Sequence, residues 1–241
     1  MGVVGILARL VSTSQIYWSS MIATLLPFDP AALGLGDSGT ERASGLHASD
    51  IYNSLYAELE PQRYGREGDP PPLLLEIGLT FEEMMVEGLR RKLSANGPDI
   101  QRPGEFTYEG TFEGRQATIH YNPDLFIYNG DFRVGEVKAT KMSPGVPKAV
   151  IMAYYAGDPD AREQVERAIL AEKFAKYRTQ LMLYCFFLRC LLGRFYILFI
   201  NGCYKPDLDP ILLPWDMTFT QDDLDTNYAA CMYHALHTGM I

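Results

Sequence analysis

Apolar and polar residues alternate in blocks of two distinct periods along the 241 residues. In residues 1–28, Ile16, Tyr17, Trp18, Ile22, Leu25 and Leu26 fall at buried helical positions, and Pro27–Gly45 reads as a linker. After Ser49 as a cap, Ile51, Tyr52, Leu55, Tyr56 and Leu59 recur at helical spacing, and the polar, proline-rich stretch Pro61–Pro72 is a loop. Thr80-Phe81-Glu82-Glu83 fits a capping box that opens a helix to about Leu93, stopped by Gly97-Pro98. Between Glu105 and Ala139 the period changes to two. Runs at 106–112, 116–121, 125–128 and 132–139 are separated by Glu113-Gly114, Asn122-Pro123 and Asn129-Gly130-Asp131, which predicts an antiparallel meander. Thr140–Gly157 reads as a loop. Asp158-Pro159 starts one long helix to about Leu192, a buried strand follows over Arg194–Gly202, and a last helix spans Asp222–His237.

The amount of apolar residue, 47%, is ordinary for a globular chain, and 241 residues suffice for one well-cored domain with extensions. A formal charge of −9 argues against nucleic-acid binding only as an average. Residues 137–205 hold eleven Lys and Arg against five Asp and Glu, a surplus of six, so the remainder carries −15. That local field suits a phosphate backbone. Cys185, Cys190, Cys203 and Cys231 show no Cys-x-x-Cys spacing and are expected as free, buried thiols of a reducing compartment. Met1–Leu10 is too short and too interrupted by Arg9 for a membrane span or a signal peptide, so a cytoplasmic protein is expected.

The candidate chemistry lies in the β-rich block. Asp124 begins one strand run, and Glu136 and Lys138, two residues apart, point to one face of another. Glu82 shares a helical face with Val86, Leu89 and Leu93 and so aims at the sheet, whereas Glu83 lies on the wet side. Carboxylates brought together this way repel unless a hard cation lies among them, and an all-oxygen set suits Mg²⁺ or Mn²⁺. Glu82, Asp124, Glu136 and the Val137 carbonyl are the expected ligands. Such a cation activates water and neutralises a scissile phosphate, with Lys138 to orient or deprotonate the water or to stabilise developing charge. Gln180 and Tyr184, four apart on the long helix, share a stripe with Lys173, Lys176 and Tyr177. That stripe either meets substrate or steadies Lys138, and Lys176 and Lys141 are expected to contact phosphate.

The ordered set Gly78-x-x-x-Glu82, Pro123-Asp124, Glu136-x-Lys138 and Gln180-x-x-x-Tyr184, with His47 and Ser49 ahead of it, resembles the PD-(D/E)XK nuclease superfamily. It is most similar to the RecB-like exonucleases of phage and CRISPR-associated type, over roughly residues 46–202. The resemblance implies a mixed α/β (α+β) fold: a restriction-endonuclease-like α-β-β-β-α-β core with a central mixed sheet flanked by helices. It places an N-terminal extension at 1–45, the nuclease core at 46–205 and a C-terminal extension at 206–241. It further implies Mg²⁺-dependent hydrolysis of DNA in recombination or end-processing, in a host cytoplasm if the protein is viral, with no membrane. Many relatives carry histidine where this chain has Glu82. The cysteines that hold an iron–sulfur cluster in some relatives are unmatched, so no cluster is expected. His120 is expected as an ordinary strand residue. Two other readings stand beside the exonuclease: an endonuclease of the same fold, such as a junction resolvase or restriction-like enzyme, and a non-catalytic binding or virion structural protein. The two extensions are the segments expected to serve a second copy or a protein partner.

Overall fold

The structure, a computed structural model, describes residues 44–64, 72–93, 99–140, 146–169, 174–199 and 211–241. The helices expected within 1–28, most of the linker, the stop at Gly97-Pro98, Lys141, Lys173, Cys203 and the end of the strand at 200–202 lie outside the described residues.

Two sheets organise the chain. The smaller joins β1 (Leu46–His47), β4 (Arg115–Tyr121) and β3 (Phe106–Phe112) in the order β1-β4-β3, with β1 parallel and β3 antiparallel to β4. The larger runs β2-β5-β6-β7-β8, from Asp99–Gln101, Leu125–Asn129, Asp131–Thr140, Leu192–Phe199 and Ile211–Thr218. All its ladders are antiparallel except β6 with β7. A parallel pair needs a long crossover, which α3 (Lys148–Tyr155), α4 (Pro159–Ile169) and α5 (Ala175–Phe187) supply. The helices α1 (Ala48–Leu59), α2 (Pro72–Leu93) and α6 (Gln221–His237) complete the set, and Pro61–Tyr64 adds one helical turn. The expected class, a mixed sheet flanked by helices, is the one observed.

Alternation along β6 divides the core. Val134 joins a large cluster with Phe195, Ile197, Leu213 and Trp215 and with Leu181 and Leu183 of α5. Val137 faces the other way, into a smaller cluster with Val86 and Leu89 of α2, Leu125, Ile127 and Tyr196. Among the described residues no helix is long and apolar enough to cross a membrane.

Several local expectations are corrected. The meander is broken: β4 does not pair with β5, because at Asn122-Pro123 the chain leaves the smaller sheet for the larger. Pro123 has no N–H to continue a ladder. The hairpin turns themselves are as expected, with Glu113 and Gly114 at φ 49 and 78 and Gly130 at φ 79. Thr80 caps nothing. It lies inside α2, which starts at Pro72, where a missing N–H costs a first helical residue nothing. Ser49 is one residue inside α1, whose N-cap is His47, and Asp50 Oδ2 accepts from the His47 N–H at 3.0 Å. Pro147 launches α3 where a loop was expected. The long helix is two helices, since Phe174 leaves helical geometry at φ −122 just before α5.

Helix α5 also stops earlier than Leu192. Arg189, at φ 53, donates its N–H to the Phe186 carbonyl (3.1 Å), and Cys190 donates to that of Cys185 (2.9 Å). This is a Schellman ending with arginine in the left-handed position that glycine usually fills. A non-glycine residue there costs roughly 1–2 kcal/mol.

Candidate active site

The pairing of β5 with β6 ends at Leu125 opposite Gly135. Beyond it β6 continues through Glu136, Val137 and Lys138, still paired with β7 but, among the described residues, without a strand along its other edge. Asp124, one residue before β5, closes part of this notch: its Oδ2 accepts the Val137 N–H at 2.8 Å. The N–H and C=O of one strand residue leave from the same edge, so the Val137 carbonyl faces the notch as well. The Val137 side chain is fully buried on the far face.

Glu136 and Lys138 rise from β6 on the side of α5, and α2 brings Glu82 to the same point. Lys138 Nζ lies 2.7 Å from Glu136 Oε1, 3.4 Å from Glu82 Oε1 and 3.9 Å from Asp124 Oδ2. The four side chains read from the sequence therefore converge. Glu82 is partly covered over the apolar face of α2, and Glu83 points to solvent, where Arg102 donates to it at 3.1 Å.

Gln180 and Tyr184 do not line an open surface, as a substrate contact would; both are buried. Gln180 Nε2 donates to Glu136 Oε1 and, at 3.1 Å, to the Tyr184 hydroxyl. They hold Glu136 from behind. Lys176 is half-buried, its Nζ 4.7 Å from the Tyr64 ring centre and 5.3 Å from that of Tyr177. Burial, with Lys138 nearby, lowers its pKa. Two tyrosines also belong to the site: Tyr177, expected on the stripe that meets substrate or steadies Lys138, and Tyr52, read only as a position at helical spacing. Lys138 Nζ is 5.6 Å from the Tyr177 ring centre, and the buried Tyr52 of α1 shares the electrostatic surroundings of Lys138, Glu136 and Asp124. Their signal in the sequence was a hydroxyl on an otherwise apolar helical face. His120 is a strand residue of β4, as expected, with its Nδ1 3.7 Å from Glu105. Cys185, Cys190 and Cys231 are free and buried.

The charges do not balance at the centre. One ammonium meets three carboxylates. Burial raises Glu136 well above its ordinary pKa, Asp124 adds to the rise, and Lys138 only opposes it. Glu82 is raised in the same way, by burial first. Burial alone would lower Lys138, but Glu136, Asp124 and Glu82 together hold it charged, well above its ordinary value. Among the described residues, Glu136 Oε2 and Gln180 Oε1 are the buried side-chain oxygens without a hydrogen-bond partner. A buried, unpartnered carboxylate oxygen is costly and draws either a proton or a cation. The carboxylates surround the Lys138 ammonium, and among the described residues no three His, Cys, Asp or Glu side chains form a ready cage. The donor set still fits a hard divalent ion: the free Glu136 oxygen, Asp124 and the Val137 carbonyl are all oxygen donors at one notch.

No protein-family model and no curated protein sequence matches the chain. Similar solved structures exist at low identity. SSO0001 is 12% identical with a TM-score of 0.48, over 83% of this chain and 79% of that one. The alkaline exonuclease LHK-Exo from Laribacter hongkongensis is 14% identical with a TM-score of 0.42, over 81% and 89%. A phage-related exonuclease from Haemophilus somnus 129PT is 14% identical with a TM-score of 0.41, over 80% and 83%. At these scores the likeness decides nothing about chemistry, and the notch beside β6 carries the functional reading alone.

Proposed function

We propose that the chain is a metal-dependent nuclease, an exonuclease that hydrolyses DNA in recombination or end-processing. One observation carries the reading: Glu82, Asp124 and Glu136 meet at the Lys138 ammonium beside an unpartnered Glu136 oxygen. A structural ion pair would need one carboxylate, fully bonded. Three carboxylates around one lysine, with an oxygen left over, match a site that takes up positive charge from outside.

Asp124, Glu136 and the Val137 carbonyl would hold Mg²⁺ or Mn²⁺, with Glu82 beside Lys138. When bound, the ion supplies a more acidic water and neutralises charge on the phosphate. The chain's own groups do the rest. Lys138, held charged by its neighbours, acts as a donor rather than a base: it orients the attacking water and stabilises charge gathering on the phosphate oxygens. Gln180 fixes the rotamer of Glu136 by bonding one of its oxygens, which leaves the other without a partner. Tyr184 accepts from the same amide and fixes Gln180 in turn.

The test is hydrolysis of end-labelled linear DNA with Mg²⁺ or Mn²⁺ against the same reaction in chelator, for the wild type and Lys138→Ala. Metal-dependent loss of label that Lys138→Ala abolishes is expected. Full activity in Lys138→Ala, or in chelator, overturns the reading, and cutting of closed circles would move it from exonuclease to endonuclease.

A further inference from the structure

Lys176 of α5 is a half-buried cation without a counter-charge. Among the described residues its ammonium has no carboxylate and no hydrogen-bond acceptor as a partner, and the charge that acts on it, that of Lys138, has the same sign. Its surroundings are aromatic instead: the Tyr64 and Tyr177 ring centres lie 4.7 and 5.3 Å from its Nζ. Both walls of this cage are fixed. Tyr64 meets the edge of Tyr56 at 5.8 Å, the Tyr56 hydroxyl lies 3.1 Å from Thr179 Oγ1 of α5, and Tyr177 packs on the buried Phe174 at 6.0 Å. Ring faces attract a cation but offer no lone pair to its N–H groups. The ammonium is thus held in place, at a cost in solvation, with its donors left for an anion.

The cage shares a wall with the notch. Lys138 Nζ is 5.6 Å from the centre of the same Tyr177 ring, so at most about 11 Å separates the two ammoniums. Phosphates of one strand follow one another at roughly 3.4 Å of helix axis. An anion at Lys176 and a phosphate at Lys138 can therefore belong to one strand.

We propose that the caged Lys176 ammonium binds a second phosphate of the substrate strand, within about three nucleotides of the one being cut. The identity of the anion rests on the nuclease reading. Lys138 serves the phosphate that reacts, and Lys176 holds one that does not. The distance between them then sets which linkage of the strand lies at the notch. The rings keep the lysine chain in place before the strand arrives, so less of its freedom is lost on binding.

The probe is short labelled DNA carrying a single uncharged methylphosphonate linkage, placed at successive positions from either end, with binding measured in chelator. In the wild type, removing the charge at one linkage inside the terminal one is expected to weaken binding by roughly tenfold, the scale of one hydrogen bond to a charged group. Lys176→Met keeps a flexible chain between the rings. It is expected to bind fully charged DNA about tenfold more weakly and to be indifferent to that linkage. Lys176→Arg keeps a cation beside the rings and is expected to remain sensitive to it, which a lysine of merely structural role would not explain. With metal added, Lys176→Met is expected to raise KM for DNA by a larger factor than it lowers kcat. Equal sensitivity of the wild type and Lys176→Met at every linkage, or a wild-type loss confined to the terminal linkage, overturns the site. DNA hydrolysis by the wild type together with unchanged DNA binding in Lys176→Met also overturns it, and leaves the nuclease reading standing. Linkage-specific binding through Lys176 with no hydrolysis does the reverse.

Discussion

Gly135 stands directly opposite Leu125 where the β5–β6 ladder ends, and a Cβ built on it would lie 2.8 Å from the Leu125 Cβ. That atom cannot rotate away, so Gly135→Ala must push β5 off β6. The expected cost is that of overpacking, about 1–3 kcal/mol in a urea melt. Because Asp124 is the residue before β5, the same shift loosens its bond to the Val137 N–H, and hydrolysis is expected to fall further than the stability loss explains. Activity retained in a measurably destabilised Gly135→Ala would separate the notch from the catalysis. Lys138→Ala tests the other half of the site. Removing one partner of a buried ion pair costs about 3–5 kcal/mol, and here it leaves three carboxylates facing one another. Hydrolysis is expected to drop by about two to three orders of magnitude, the scale for one lost transition-state donor. Mn²⁺ is expected to raise the melting temperature of this variant by more than that of the wild type, since the cation then replaces the missing charge. Asp124, Glu136, Lys138 and Glu82 were legible beforehand because two-residue and four-residue periods fix which side chains share a face. That Gln180 serves Glu136, and that Tyr52 belongs to the site, was not legible. Both depend on α1 and α5 meeting β6, across separations no local pattern encodes.

Strand β8 shows how an element's neighbours decide what its sequence cannot. Pro214 in the run Ile211–Thr218 argues against a central strand, and no strand was expected in this segment. The strand forms because it lies at the sheet edge, where a missing N–H costs nothing, and because α3 covers its outer carbonyls. The Tyr154 hydroxyl donates to Pro214 O at 2.8 Å, and that of Tyr155 to Leu212 O. Replacing both tyrosines by phenylalanine is expected to cost about 1 kcal/mol per lost bond and to bare the edge to other strands. The check is a thermal melt with light scattering; an unchanged melt with no added scattering would show the clamp to be idle. On the α2 side of the same strands Arg194 forks onto Asp216, Nε to Oδ1 at 2.5 Å and Nη2 to Oδ2 at 2.6 Å, with Arg133 Nη1 at 3.0 Å. Burial alone would raise the Asp216 carboxyl, but Arg194 and Arg133 outweigh it and hold its pKa below the ordinary value. A depressed carboxyl stabilises the fold above its unfolded pKa, and that contribution is lost as pH falls through the folded one. Asp216→Asn is therefore expected to melt lower than the wild type at pH 7 and to show a flatter decline below about pH 4, the ordinary aspartate range. A parallel decline in both proteins would remove Asp216 from the acid response. The hairpins β3–β4 and β5–β6, strand β7 and helix α6 were legible, since each rests on contiguous turn, cap or alternation signals. The step from β4 to β5 between sheets was not, because a proline turn ends a ladder without saying which strand comes next.

At the scale of the molecule, four of the eight described cations in residues 137–205 have carboxylate partners within the fold. Arg162 pairs with Glu166, Arg167 with Glu163 and Arg194 with Asp216, while Lys138 sits among Glu82, Asp124 and Glu136. Of the remaining described cations in this segment, Lys176 lies over two tyrosine rings, while Lys148, Arg178 and Arg189 are exposed. Lys141, Lys173 and Lys205 of the segment lie outside the described residues. A DNA strand bound at the proposed site would draw on the cations left over, on a chain whose formal charge is −9. Each phosphate neutralised by a protein cation contributes roughly −0.7 to −0.9 to the slope of log affinity against log salt. Contacts from Lys176, Arg178 and Arg189 thus give a slope of about −2 to −3, where six free cations would give about −4 to −5. Binding of short labelled DNA by Lys138→Ala, measured across a salt series in chelator, reads this directly. Arg178→Ala is expected to flatten the slope by about one unit. A slope near −5 would mean that cations other than these three hold the backbone, and that the notch beside β6 receives its strand from another direction.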